Sequence, residues 1–177
     1  VGENGTASTG GGGGGGGGAG GAGGSGVVVV RYQISAAQSG SAKATGGSIS
    51  FYSGKTIHTF THSGSFTNTS GSPLSIDYVM VAGGGAGQTD AGGGGGAGGV
   101  LTNIPGLMPA TTAIPAVGTG SPNALTVTIG GGGAGEFGPT NPTRSQPGTN
   151  TTMSGPGPIS LTAVGGGGAS ATNASPY

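Results

Sequence analysis

Short runs of β-branched and aromatic residues, often alternating with polar ones, recur along the chain: 27–34 (VVVVRYQI), 48–52 (SISFY), 56–61 (TIHTFT), 75–81 (SIDYVMV), 124–129 (ALTVTI) and 159–164 (ISLTAV). Each is bounded by Gly, Ser, Pro or Asn, the pattern of short half-buried strands, and no stretch carries a helical period. The segments 103–124 and 138–158 are rich in Pro, Gly, Thr and Asn and read as loops, the best candidates for variable outer surface.

A junction repeats between these runs. SIDYVMVA runs into GGGAG, ALTVTI into GGGGAG and ISLTAV into GGGGAS, while at the start of the chain the order is reversed and a glycine tract runs into VVVVRY. Four tracts, residues 10–26, 83–99, 130–138 and 165–168, hold 35 of the 49 glycines. Linkers have no reason to begin so abruptly at strand ends, so the tracts read as structured continuations of the strands. Glycine lacks a Cβ, and such a segment can take the extended polyproline-II helix, whose backbone groups point outward to neighbouring helices. Ordering it costs on the order of 1–2 kcal/mol per residue, which only several tracts packed together could offset. The interspersed Ala19, Ala22, Ala86, Ala97 and Ala134 are expected to face out of such a bundle. The fold class expected is therefore all-β: short antiparallel strands, sandwich-like, continued by packed polyglycine-II helices and joined by long Pro/Thr/Asn loops.

Composition removes several functions. Glycine lacks the every-third-residue period of collagen. Four cations, Arg31, Lys43, Lys55 and Arg144, stand against Glu3, Asp77, Asp90 and Glu136; so few scattered charges build no phosphate-binding surface, and nucleic acid is not an expected partner. Without cysteine there is no disulfide, thiolate site or thiol nucleophile, and the longest aliphatic run, residues 27–30, is far short of a membrane span. The start at Val1 reads as a processed or excised product.

Motifs of chemistry are also weak. Gly54-Lys55-Thr56 ends like a phosphate-binding loop, but Ile49 stands where its first glycine belongs and strands flank both sides, so a two-residue hairpin turn at Ser53-Gly54 is the better reading. His58 and His62 would lie roughly 13 Å apart along a strand and have no acidic or thiol partner nearby in sequence. No G-x-S-x-G elbow occurs. No enzyme activity, cofactor or metal is expected. N-x-S/T sequons fall at Asn4, Asn68, Asn150 and Asn173, which makes glycosylation permitted rather than indicated in a chain so rich in Ser and Thr.

The segments GGSISFYSGKTIHTFTHSGSFT, SIDYVMVAGGGAG, GGGGGAGGVLT, ALTVTIGGGGAG, ISLTAVGGGG and GGAGGSGVVVVRY together resemble the glycine-rich domains of phage tail-fibre adhesins and related bacterial surface proteins. The resemblance implies a polyglycine-II sandwich that presents loops to a host receptor. One feature departs from the family: the element resembling its end, residues 10–34, precedes the element resembling its beginning, residues 46–67. The chain thus divides into residues 1–34, a linker at 35–45, and a glycine-rich β domain at 46–177. Residues 1–34 either belong to a tandem domain or complete a neighbouring subunit, with Val27, Val28, Val29 and Val30 as the donated strand, because that strand would otherwise be an exposed edge.

The expected function is a structural subunit of an extracellular or virion-surface fibre, its partners being further copies of itself. The alternative is a receptor-binding adhesin whose loops contact a host surface glycan or protein. Ice binding, which needs a flat Thr or Ala face, ranks third.

Overall fold

Period-two alternation builds the strands. In β1 (Val27–Gln33), Val28, Val30 and Tyr32 are buried while Val27, Val29 and Arg31 lie on the opposite, half-buried face. The same alternation buries Thr56, His58 and Phe60 of the strand Lys55–Phe60, and Tyr78 and Met80 of the strand Asp77–Val81. In chain order the remaining strands are β2 (Ala44–Thr45), β3 (Ser48–Tyr52), β5 (Gly64–Asn68), β7 (Val100–Thr102), β8 (Leu125–Thr128), β9 (Thr151–Ser154) and β10 (Ser160–Ala163), with Lys55–Phe60 as β4 and Asp77–Val81 as β6. The computed structural model describes residues 1–34, 42–89, 92–109, 112–135 and 145–170. The central part of the expected linker, residues 35–41, lies outside them.

The strands form two five-stranded sheets, β3-β4-β1-β6-β7 and β10-β9-β8-β5-β2, in which every pairing is antiparallel. Both contribute to one cluster of buried side chains: Val28, Val30, Tyr32, Tyr78 and Met80 from the first, Phe66, Leu125, Val127, Met153 and Leu161 from the second. The chain is all-β, as its sequence pattern indicates. The β3–β4 connection is the hairpin turn expected at Ser53-Gly54, where both residues have positive φ (48° and 71°), as a tight type I′ turn requires.

β1 does not lie at an edge. It sits in the middle of its own sheet, with Val28 opposite Phe60 on β4 and Met80 on β6. Within a single chain, the exposed edge that motivated strand donation is therefore absent. The segment read as a loop at 138–158 also needs correcting, since it contains β9. Its sequence TTMS hides a strand because only Met153 is strongly apolar, and the buried Thr151 uses its hydroxyl to accept a bond from the Gly130 amide. β5 (GSFTN) and β7 (VLT) escape the pattern for a related reason: each is too short, or too polar, to alternate visibly.

The register places one end of six strands together. Val27, Val81 and Val100 are neighbours across the first sheet, as are Thr128, Thr152 and Thr162 across the second. At this end the chain enters β1, β7 and β9 and leaves β6, β8 and β10. From here the tracts 19–26, 82–88, 92–99, 130–135, 145–150 and 164–169 extend beyond the sheets.

Candidate functional site: a core made of backbone

Residues 82–89 are all buried, although three of the first four are glycine. Six segments surround this tract. Its amides turn to three of them in succession: Ala82, Gly85 and Gln88 donate to Gly99, Gly96 and Gly93; Gly83 and Ala86 to Thr149 and Gln146; Gly84 and Gly87 to Gly24 and Gly21. Its carbonyls turn to the other three: Gly83 and Ala86 accept from Gly166 and Ala169, Gly84 from Gly133, and Gly85 and Gln88 from Gly13 and Gly16. The N···O distances for these bonds run from 2.8 to 3.1 Å.

The surrounding segments also bond one another and close a ring. Gly21 donates to Gly14, Gly23 to Gly133, Thr149 to Gly131, Gly148 to Gly166, Gly96 to Gly167 and Gly95 to Gly13. Both backbone groups of each central residue from 83 to 86 are thereby satisfied without a strand ladder, which is what burial of bare backbone demands. The direction of bonding repeats every third residue.

Glycine is needed here for close approach rather than for an unusual φ. Among the described tract glycines only Gly10 has φ in the left-handed region. A Cβ on Gly83, Gly84, Gly85 or Gly87 would lie under 3.0 Å from the carbonyl oxygen of Gly131, Gly11, Gly167 or Gly14, respectively. The Cα hydrogens are therefore aimed at those oxygens, the arrangement of a weak Cα–H···O bond repeated along the tract.

The alanines do not all face outward as expected. Ala97 and Ala134 are exposed and Ala22 is half-buried, but Ala19 and Ala86 are buried. Room for a methyl group varies from position to position along the bundle. Gly83 has no room for a methyl group, while Gly17, Gly18 and Gly93 at the far end would meet nothing within 4 Å. Ala86 stands between Gly85 and Gly87, neither of which has room for a Cβ, yet its own methyl is accommodated inside the ring.

One ring member was not legible as a tract. Residues 145–150 (SQPGTN) contain a single glycine, yet Gln146 and Thr149 accept from the central tract and Gly148 donates to Gly166. The residues on the outside of the ring need no glycine because their side chains have solvent to occupy. The signal that could have found the segment is its position immediately before β9, itself hidden.

Polar side chains stand in for missing carbonyls at the rim. Asn4 Oδ1 accepts the Ala22 amide at 2.8 Å, Asn150 Oδ1 accepts the Gly165 amide at 2.9 Å, and Thr149 Oγ1 accepts the Gly131 amide at 2.7 Å. Among the candidate sequons, Asn4 and Asn150 are exposed. Asn68 is fully buried and its Nδ2 donates to both the Ser72 and Val117 carbonyls, so the folded chain has no place for a sugar there. Asn173 lies outside the described residues.

The two histidines occupy different environments. His62 is exposed and lines an open, uncharged groove of about 370 Å³ between residues 46–48 and 59–65. His58 is fully buried: Nδ1 bonds the Gly46 carbonyl at 2.6 Å and Nε2 the Tyr32 hydroxyl at 3.1 Å. Burial pulls its pKa below the ordinary histidine value, opposed by the bond to Gly46, and burial raises that of Tyr32. Among the described residues no group of three or more His, Cys, Asp or Glu is placed to hold a metal ion. Among the described residues no helix is long and apolar enough to cross a membrane.

A family model described as a glycine-rich domain matches residues 60–177, about two thirds of the chain. The curated proteins and the solved structures yield no match. The matched span contains the central tract, four of the six segments around it and the whole second sheet except β2, so the chain belongs to the glycine-rich domain family.

Proposed function

We propose that this chain is a structural subunit of an extracellular or virion-surface fibre, and that its tracts are polyglycine-II helices. The buried central tract within its closed ring of six supports this reading: threefold bonding with every neighbour is the pattern such helices make, and it yields a rigid rod from backbone alone. A nearly uncharged surface of Ser, Thr, Asn and Gly suits a module that packs against copies of itself. Electron microscopy of the purified chain tests the proposal. Filaments with a regular axial repeat are the expected result, and dispersed single particles at every concentration would overturn it.

Subunits are proposed to join by strand and polyglycine packing, with residues 1–34 of one copy occupying in the next the position they fill in their own chain. Arg31 and Asp77 are cross-strand partners on β1 and β6, joined by an ion pair at 2.9 Å, and the chain has no cysteine. Oxidising the Arg31→Cys, Asp77→Cys double variant gives a covalent ladder on a denaturing gel if the arm is exchanged. Monomers alone would show that each arm stays at home. The receptor-binding alternative draws support from Leu107 and Met108, exposed in the 103–109 segment, where a surface partner could dock.

A further inference from the structure

Two buried polar side chains, Tyr32 and His58, meet at the strand that the assembly proposal sets free. Gly46 O can only accept, so His58 Nδ1 carries the proton and Nε2 is bare. Nε2 then accepts from the Tyr32 hydroxyl, whose oxygen in turn accepts the Ala44 amide at 3.0 Å. One directed chain of hydrogen bonds, Ala44 to Tyr32 to His58 to Gly46, ties β1 to β4 and to the corner joining β2 and β3. Its middle link, Tyr32 to His58, depends on a neutral imidazole, whereas the Ala44 amide and His58 Nδ1 donate in either protonation state.

Protonation reverses one link. Nε2 becomes a donor facing the Tyr32 oxygen, and the Tyr32 proton loses its acceptor; Thr56 Oγ1, on the cross-strand partner of Tyr32, is buried and otherwise unbonded. The new charge would sit among rings, with Tyr32 at 5.5 Å and Phe66 at 5.1 Å between centroids. Groups that could balance it are absent from the elements packed around it among the described residues. β1 presents Tyr32, β3 presents Ile49 opposite His58, β5 presents Phe66 and the corner presents the Gly46 carbonyl. Lys43 and Lys55 are engaged instead with Gln33 at the outer end of β1.

We propose that Tyr32, His58 and the Gly46 corner form an acid-released latch on the N-terminal arm, so that protonating one buried imidazole frees β1 for pairing with a second copy of the chain. The proposal rests on the fibre reading for its use, though not for its chemistry. Because the folded state holds the imidazole neutral, the latch is intact above the ordinary histidine pKa of about 6.5 and weakens as pH falls below it, until the lowered folded value is reached.

Amide hydrogen exchange of the full chain across pH 8 to 4.5, corrected for intrinsic rates, is the test. Opening of Val28, Val30 and Tyr32 should rise by up to tenfold per pH unit below about 6.5, while β8 and β9 stay protected. The His58→Gln variant, whose amide can keep both bonds without titrating, should lose that response; if it does not fold, NMR titration of His58 beside the exposed His62 supplies the same comparison in the natural chain. Equal protection of β1 at all pH values, or an unchanged acid response in His58→Gln, would overturn the latch. Electron microscopy at both ends of the range separates it from the fibre proposal. Acid-opened β1 without filaments leaves the latch and removes the fibre, and filaments with a pH-indifferent β1 do the reverse.

Discussion

The same chain builds two cores by opposite means. Between the sheets, Phe66, Tyr78, Met80, Leu125 and Met153 fill space with side chains, and stability depends on what is there. In the glycine bundle the central tract is equally buried, yet its density comes from backbone brought so close that Gly83, Gly84, Gly85 and Gly87 have no room for a methyl group. The first core is harmed by removing atoms, the second by adding them. The two are continuous because six strand ends feed the tracts, so the sheets hold in register the tracts that would be too costly to order alone.

The comparison breaks most severely with Gly85→Val. A side chain there meets the Gly167 carbonyl at the centre of the ring, where both partners are backbone and neither can yield. Loss of the cooperative transition in thermal or denaturant unfolding is expected, and a folded variant with ordinary stability would show that the ring is not closely packed in solution. Phe66→Ala probes the other core. It leaves a cavity beside Tyr32 and His58 and should cost about 3–5 kcal/mol, read from the urea midpoint.

The smallest effect sharpens the contrast inside one tract. Gly166 and Gly167 are adjacent, but a Cβ on Gly166 meets the Gly96 carbonyl whereas one on Gly167 meets nothing within 4 Å. Gly167→Ala should change stability by less than about 1 kcal/mol, in the stabilising direction if the loss of unfolded-chain freedom dominates. Gly166→Ala should be destabilising by more than that. Equal effects would mean that glycine is required in the tracts for flexibility rather than for close approach.

Strand existence was largely legible. β3 begins and ends where the SISFY run does, and β1, β4, β6, β8 and β10 fall within about two residues of their expected bounds. The strands that escaped were those whose burial is shared with polar atoms, as at Thr151, or rests on a single ring, as at Phe66. Among the candidate sites, the sequence treats Asn4, Asn68 and Asn150 alike because a sequon is a local pattern, while exposure is decided by neighbours distant in the chain. Asn68 is enclosed by Val117, 49 residues away.

By itself the sequence determined that this chain is all-β and that its glycines are organised, because alternation and the strand-to-glycine junction are local consequences of side-chain chemistry. Tertiary structure alone decided which tract lies at the centre, that the Gly-poor segment 145–150 completes the ring, and that β1 fills the middle of a sheet. Those outcomes depend on backbone groups, which are the same at every position and leave no mark in the sequence until the chain brings them together.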